Sequence, residues 1–225
     1  MQKLVIMAIV LLFVTPAFAV QTLNYSWEDG GTVLGLYGNA CCESNVSGVQ
    51  SGSQGSVVGP YTCPGAVDGT QYLHVAEDPH SSTPQALIGW VTGLTDGDIV
   101  DAMFYGYDIT EGASPSLRIW GHYSPIGGDI NSYAGSAGGN DTYTDGLGWG
   151  LVSHQWVFDS DGGTRDGIII EARMYSTPST SDPDHTDYWI DDLTVTAPDH
   201  AVITFPTPAS PVEESTWGTI KAMYR

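Results

Sequence analysis

Hydrophobic and polar residues alternate with a period of two along several stretches of this chain. Between residues 99 and 108, Val100, Ala102 and Phe104 fall on one side, and mostly polar residues fall between them. Such alternation is typical of a β-strand with one buried face. The pattern predicts strands over residues 24–28, 71–76, 85–92, 99–108, 116–123, 154–159, 167–176 and 186–196.

Turn-forming residues separate these strands. Residues 95–98, 127–129 and 161–163 combine Gly with Asp, which is turn chemistry. No helical period of apolar residues runs through the body of the chain. Evenly spaced strands without helices predict an all-β fold, either an antiparallel sandwich or a barrel.

Two longer connections stand out by composition. Residues 47–59 are rich in Gly, Ser and Gln, which predicts a mobile loop. Residues 132–150 are rich in Gly but also carry Tyr133, Tyr143 and Trp149. An aromatic-bearing loop beside a sheet either caps a ligand site or folds over the edge of the core, and we favour the second interpretation.

The two ends of the chain differ from its body. Residues 1–19 begin with Lys3, continue with an apolar run and finish at Ala17-Phe18-Ala19, the pattern of a secretory signal peptide. The run is shorter than the roughly 20 residues that span a bilayer, so we expect a secreted or cell-surface protein with no membrane span in its mature chain. Residues 20–197 are the predicted β domain, residues 198–212 a Pro-rich linker and residues 213–225 a short C-terminal tail.

Charge and cysteine content restrict the partners. The chain has 26 Asp and Glu against six Lys and Arg, a net charge of −20 at pH 7. A surface of this sign repels nucleic acid and anionic lipid, and we expect neither as a partner. An exported chain meets oxidising conditions, so we expect a disulfide between Cys63 and either Cys41 or Cys42. The remaining cysteine is a free thiol, part of a vicinal bridge or an intermolecular bond, and the sequence leaves these alternatives open.

The sequence lacks the common signatures of catalysis. The motifs of serine hydrolases, zinc proteases and nucleotide-binding enzymes are absent. Carboxylates are abundant, but they do not form a glycosidase pattern. We therefore expect a protein that is not an enzyme.

Two strand-like segments place carboxylates inside apolar frames. Residues 25–30 read YSWEDG, and residues 188–195 read YWIDDLTV. A carboxylate beside core residues is costly unless a partner neutralises it. The two segments therefore suggest that the first and last strands meet and share a cation.

Three segments resemble carbohydrate-binding modules of the CenC type, families 4, 9, 16 and 22. Residues 93–105, GLTDGDIVDAMFY, are similar to the family's gL-x-x-G-x-x-Y-x-x-S-F-x segment. Residues 27–30 are similar to its opening segment, and residues 188–195 to its closing one. The resemblance covers roughly residues 22–197 and implies a galactose-binding-like β-jelly roll. The chain departs from the family where Ile99 or Val100 replaces a frequent Tyr, and around the cysteines.

The resemblance also implies a structural Ca²⁺ between the first and last strands. By position, Glu28 and Asp191 would be its side-chain ligands, with Asp29 and Asp192 as lesser candidates. Calcium binds several oxygen ligands, including carboxylates and backbone carbonyls, which strand ends supply. The alternative is that these carboxylates cap turns.

Strand alternation also sorts aromatic and charged residues of three strands onto what we interpret as one outer face. Its candidate ligand-binding residues are Tyr105, Tyr107, Arg118, Trp120, His122, Glu171, Arg173 and Tyr175. Aromatic rings stack on sugar rings, and charged groups bind the hydroxyls. Two alternatives remain: a solvated face with cross-strand ion pairs, such as Arg118 with Glu171, and a subunit contact.

The sequence as a whole predicts a secreted, non-catalytic protein similar to a carbohydrate-binding module, with a structural calcium. Its partner would be a polysaccharide or glycoconjugate. The alternative is a self-assembling extracellular surface or filament subunit, in which the tail or an edge strand docks on a neighbour.

Overall fold

The computed structural model describes residues 19–35, 45–51, 57–58, 61–62, 65–76, 85–108, 116–139, 143–144, 148–175 and 188–207. Three predictions fall outside these residues: the signal peptide before Ala19, the disulfide between two of the three cysteines, and the C-terminal tail at 213–225. They stay predictions.

Within the described residues the chain forms β-strands and no helix, which confirms the all-β class. None of this part of the chain is therefore a helix that could cross a membrane. The strands are β1 (Val20–Tyr25), β2 (Asn45–Ser51), β3 (Val57–Val58), β4 (Tyr61–Thr62), β5 (Gln71–Ala76), β6 (Gln85–Thr92), β7 (Ile99–Asp108), β8 (Ser116–Pro125), β9 (Ser136–Gly139), β10 (Gly148–Val157), β11 (Arg165–Tyr175), β12 (Tyr188–Pro198) and β13 (Val202–Thr204).

Two antiparallel sheets pack against each other. The six-stranded sheet has the order β10-β7-β12-β5-β2, with β1 also beside β12. The five-stranded sheet has the order β13-β6-β11-β8-β9, and β3 pairs with β4 separately. The predicted antiparallel β-sandwich is confirmed.

Strand β12 lies inside the six-stranded sheet and has two partners along one edge. Its second half, from Leu193 to Pro198, pairs with β1, whereas residues 188–190 pair with β5. Strand β7 follows the other edge, where the register shifts between Asp191 and Thr194. Asp192 has a φ of 51°, in the left-handed region. The strand therefore changes neighbours at Asp191 and Asp192.

The core lies between the two sheets, and for β7, β8 and β11 alternation predicts its members correctly. The inward residues of β7 and β8 are buried, and the inward residues of β11 and β12 meet them. These residues include Val100, Ala102, Phe104, Leu117, Ile119, Ile168, Ile170, Ala172, Met174, Ile190, Leu193 and Val195.

Some strand bounds differ from the prediction. Strand β1 ends at Tyr25 because the next residues turn, with Trp27 at a φ of 61°. Strand β10 begins at Gly148, ahead of the predicted start at 154. Strand β2 occupies part of the predicted mobile loop, and β9 lies within the aromatic-bearing loop. Glycine and serine give these strands no apolar alternation, so periodicity does not reveal them.

The sandwich continues beyond residue 197, where we had placed the linker. Strand β13 pairs with β6, and the ring of Phe205 stacks on that of Tyr25 with centroids 5.5 Å apart. Pro206 is buried as well. These contacts include residues 198–206 in the folded domain.

Gly121 of β8 tests this packing. A Cβ added there would lie 2.7 Å from Nε1 of Trp156, a buried indole that also donates a hydrogen bond to the carbonyl of Gly138. Because the ring is held on both sides, Gly121→Ala should lower the free energy of unfolding by about 1–3 kcal/mol in chemical denaturation. Gly150→Ala is the matched control, since its Cβ would make an ordinary contact, 3.5 Å from Cγ2 of Thr144. Equal stability of the two variants would contradict the packing.

Candidate ligand-binding site

The structure divides the predicted ligand-binding residues between the two sheets. Tyr105 and Tyr107 lie on β7 of the six-stranded sheet, whereas β8 and β11 belong to the five-stranded sheet. The outer faces of two packed sheets point in opposite directions, so the prediction of one common face was wrong. Alternation shows which side of a strand is buried, but it does not show which sheet the strand joins.

Five predicted residues do come together, on the outer face of the five-stranded sheet. They are Arg118, Trp120, His122, Glu171 and Arg173. Tyr175 ends β11 in register with Ser116, and its side chain lies outside the described part of the structure.

Glu171 is the centre of this group. It points away from the core, yet its exposed fraction is 0%. Oε1 accepts a hydrogen bond from Nε of Arg173 at 2.7 Å, and Oε2 contacts Nε2 of buried His122. Glu171 therefore pairs with Arg173 and His122, and not with Arg118 as in the cross-strand alternative.

Arg173 links this carboxylate to the rest of the face. Its Nη2 donates to Oε1 of buried Gln85 at 2.8 Å, and its guanidinium carbon lies 4.7 Å from the ring centroid of Trp120. Gln85 begins β6, so three neighbouring strands contribute to one polar row. We call Gln85, Trp120, His122, Glu171 and Arg173 the polar cluster.

Trp120 is fixed in orientation by strand β9. Its Nε1 donates to Oγ of Ser136 at 2.9 Å, and a Cβ on Gly139 would lie 2.3 Å from the indole. Glycine at position 139 therefore lets the strand approach the ring closely.

The segment at residues 126–135 forms a wall on this face. A Cβ on Gly35, beside β6, would lie 3.0 Å from Oδ1 of Asn131, so the segment reaches across the sheet from β8. Tyr133 of the segment is 52% exposed, and its ring contacts His122 edge-on at 5.2 Å. Tyr133 of the aromatic-bearing loop thus lies beside the polar cluster, whereas Trp149 of the same loop packs on the six-stranded sheet.

Arg118 occupies the other end of the face. Its guanidinium carbon lies 4.9 Å from the ring centroid of Tyr143, and its Nε donates to Oγ of Ser116 at 3.3 Å. Tyr143 was not among the predicted ligand-binding residues, because its loop gave no strand pattern from which to place it.

The outer face of the six-stranded sheet carries a second aromatic group. Tyr107 packs edge-on against Trp149 and Trp189, at 5.7 and 5.6 Å, and His74 stacks on Trp189 at 5.0 Å. Nε1 of Trp149 donates to the carbonyl of Gly65 at 2.8 Å, so the segment before β5 covers part of this group. Tyr105 lies two residues from Tyr107 on the same face and is half-buried.

The predicted calcium ligands contact backbone amides. Glu28 accepts from the amides of Gln71 and Thr70, which hold the pKa of its carboxyl below the ordinary value. Burial raises the pKa of Asp191 to about 6, and amide hydrogen bonds from Asp68 and Val67 oppose that rise.

The lesser calcium candidates, Asp29 and Asp192, do not accept hydrogen bonds from the amides of residues 67–71. Asp29 accepts from the hydroxyl of Tyr25 and the amide of Gly31, at 2.7 and 2.9 Å. Asp192 follows Asp191 in the left-handed conformation, and its amide donates to Oδ1 of Asp191. Across the described residues no three or more His, Cys, Asp or Glu side chains group around a common point. The calcium site stays a prediction from the sequence, and the described carboxylates fit amide donors better than a cation.

Comparisons with known proteins concern the fold. No protein-family model matches the chain, and no curated protein matches its sequence. In structure it is similar to the CBM22-2 xylan-binding domain from Paenibacillus barcinonensis Xyn10C, with 13% identity and a TM-score of 0.46 over 78% of this chain and 98% of that one. The CBM22-1 domain of the same protein gives 13% and 0.40 over 81% and 97%.

An enzyme is also among the similar structures. A cyclase from a Fischerella species is 10% identical, with a TM-score of 0.42, over 84% of this chain and 86% of that one. Family 22 is one of the carbohydrate-binding families that the sequence resembles. At these identities the likeness concerns the fold, so function has to be argued from this chain's own residues.

Glu171→Gln tests whether the polar cluster is charged and coupled. Removing one partner of a buried ion pair leaves the other charge uncompensated, so the free energy of unfolding should fall by about 3 kcal/mol in denaturant titration. Asp161→Asn is the control, because it breaks an ion pair with Arg165 in which the Asp161 side chain is 62% exposed. Asparagine also tolerates the φ of 50° at this position. That variant should lose less than about 1 kcal/mol. Similar losses in both variants would contradict a buried charge network.

Proposed function

We propose that this protein binds a polysaccharide or glycoconjugate, without catalysis, on the outer face of the five-stranded sheet. The observation that carries the proposal is the position of exposed Tyr133 beside the polar cluster. An exposed ring supplies a surface for the apolar side of a sugar. Arg173 and Trp120, at the solvent side of the cluster, supply hydrogen bonding and a second ring.

The charges on this face support a binding role. A buried ion pair costs much of its attraction in desolvation, and apolar residues in its place often give a more stable protein. A buried ion pair on the outer side of a sheet is therefore weak evidence for a stabilising role, which leaves it a candidate for function. Ligand sites typically combine aromatic walls with a few fixed polar groups, and the polar cluster with Tyr133 has that composition.

The same contacts favour binding over hydrolysis. Glycosidases use two carboxyl groups on either side of the scissile bond, one of which gives or takes a proton. Here both oxygens of Glu171 are engaged, one by Arg173 and one by His122. A carboxylate held in this way orients its neighbours and is poorly placed to exchange a proton with a substrate.

We also propose that the protein works outside the cell. This part of the proposal rests on the signal-like residues 1–19 and on the three cysteines. A polysaccharide ligand is compatible with that location.

The test is a panel of soluble polysaccharides, xylan among them, measured by affinity electrophoresis and calorimetry. Tyr133→Ala should weaken binding at least about tenfold, the effect of about 1.4 kcal/mol, with an unchanged melting temperature because the side chain is exposed. Trp120→Ala should weaken it as well. Tyr105→Ala, on the opposite sheet, is the matched control and should bind like the wild type.

Two results would contradict this proposal. Loss of binding in the Tyr105 variant with retention in the Tyr133 variant would move the site to the six-stranded sheet. Binding to none of the polysaccharides would remove the carbohydrate role.

One observation favours the alternative of a self-assembling subunit. Strand β10 is an edge of the six-stranded sheet, and its outward side carries exposed Leu151 and Val157. Edge strands with apolar side chains are sites where another chain adds to a sheet. A second copy of this protein would pair there through backbone hydrogen bonds.

The alternative makes its own prediction for Val157→Lys. A lysine on the outward side of β10 places a charge in the contact, so assemblies seen by light scattering should dissociate to monomers. Val202→Lys is the matched control, because Val202 is similarly exposed, at 58% against 62%, on the edge strand β13 of the other sheet. A wild-type protein that is monomeric at all concentrations would contradict the subunit role.

A further inference from the structure

We propose that Glu28 and Asp191 form a metal-independent clamp, which holds the turn at residues 67–71 by its backbone amides. The clamp takes the place of the calcium ion that the sequence resemblance implies. It connects three parts of the six-stranded sheet: the turn after β1, the middle of β12 and the start of β5.

Glu28 holds the end of the turn that leads into β5. Its Oε1 accepts from the amides of Thr70 at 2.6 Å and Gln71 at 2.5 Å, and its Oε2 accepts from the hydroxyl of Thr70 at 3.1 Å. A Cβ on Gly69 would lie 2.5 Å from Cδ of Glu28, and Gly69 has a φ of 63°. Glycine at position 69 thus gives both the turn and the space for the carboxylate.

Asp191 holds the beginning of the same turn. Its Oδ2 accepts from the amides of Val67 at 2.7 Å and Asp68 at 3.0 Å, and its Oδ1 accepts from the amide of Asp192 at 2.8 Å. Asp191 is fully buried. Hydrogen bonds from several amides are what a buried carboxylate needs in place of water.

The clamp satisfies a specific shortage of backbone partners. Strand β12 pairs with β5 up to Ile190 and with β1 from Leu193 onward, so the chain entering β5 passes this junction without a partner on the β12 side, whereas β2 already pairs with Gln71 on the other side. Backbone amides without a strand partner need other acceptors. Two carboxylates from distant parts of the sequence supply them for four of the five residues in the turn.

The direction of these hydrogen bonds argues against a shared cation. An amide N–H presents the positive end of its dipole, and one oxygen of each carboxylate receives two such groups. A calcium ion bound to either of those oxygens would approach it against those dipoles. The second oxygens, Oε2 of Glu28 and Oδ1 of Asp191, accept from the hydroxyl of Thr70 and the amide of Asp192. It would also need six to eight oxygen ligands in all. Asp29, a candidate for one of them, is engaged by Tyr25 and Gly31.

The clamp also positions an aromatic surface. The residues just before the turn cover the aromatic group of the six-stranded sheet: the carbonyl of Gly65 accepts from Trp149, and Ala66 packs on Tyr72 and Trp189. Holding residues 67–71 therefore keeps this cover in place.

The first arm of the test compares the melting temperature of the full chain before and after chelation, with removal of metal checked by elemental analysis. The clamp predicts the same melting temperature in excess EDTA and in millimolar calcium, because no metal stabilises the fold. A drop on chelation that calcium restores would overturn the proposal.

The second arm compares two substitutions of the same exposed side chain. Glu28→Ala removes the acceptor of both amides and should lower the melting temperature by about 3–6 °C. Glu28→Gln keeps Oε1 as an acceptor, so its melting temperature should lie closer to the wild type than to the alanine variant. A calcium ligand would behave differently, since glutamine loses the charge that the ion requires. Glutamine as damaging as alanine would overturn the clamp.

A third readout reports on the amides themselves. Hydrogen exchange followed by NMR should show protected amides at Val67, Asp68, Thr70 and Gln71 in metal-free protein, with faster exchange at Thr70 and Gln71 in Glu28→Ala. Asp192→Asn is the control, because asparagine tolerates the φ of 51° and the variant removes a carboxylate next to the clamp without removing an acceptor from it. It should leave exchange at the four amides unchanged. Unprotected amides in the metal-free wild type would contradict the clamp.

Discussion

The structure depends on the junction in β12 where the neighbouring strand changes from β5 to β1. Strand β1 accompanies its second half, β5 its first, and the junction falls at two consecutive aspartates. A sheet that changes partners in mid-strand leaves backbone groups without a ladder, and buried backbone groups need partners. Strands β1 and β12 meet at this junction, and side-chain carboxylates supply acceptors for the amides of residues 67–71.

That constraint orders both faces of the molecule. On the six-stranded sheet, the turn fixed at the junction brings Gly65 and Ala66 over the aromatic group. The five-stranded sheet packs its apolar side on β7 and β12 and turns Trp120 and Glu171 outward. Charged groups on that outer side are paired with neighbours from adjacent strands, which fixes their orientation. Rigid polar groups lose little entropy on binding, so a pre-organised face favours affinity.

Sequence reasoning predicted the local structure and the meeting of β1 with β12, but it missed the order of the other strands. Strands β5, β6 and β7 have the predicted bounds because their alternation ends at clear turn signals. Strands β2 and β9 consist largely of small and polar residues, and β13 is only three residues long, so none of them shows a period. Tyr105 and Tyr107 were assigned correctly to the side of β7 away from the core.

The candidate site shows the same limit. Trp120, Glu171 and Arg173 were predicted to share a face because β8 and β11 alternate in phase, and these strands do pair. Gln85 lies at the site because β6 is next to β11, and Tyr133 lies there because its loop crosses the sheet. Neither strand order nor the path of a loop leaves a local pattern in a single sequence. The partners of Glu28 and Asp191 were missed for a related reason. They are backbone amides of residues 67–71, and amide positions have no signature in side-chain types.

The central claim is that the ligand binds the outer face of the five-stranded sheet, and the indole protons report on it directly. Trp120 donates to Ser136 on that face, whereas Trp149 donates to Gly65 on the opposite sheet. An NMR titration of labelled protein with xylan fragments or another polysaccharide fragment from the panel would follow both indole N–H resonances at once. The account predicts a saturable shift of the Trp120 resonance with Trp149 unchanged. A shift of the Trp149 resonance alone would contradict it. So would the absence of a shift at both resonances with all of the fragments.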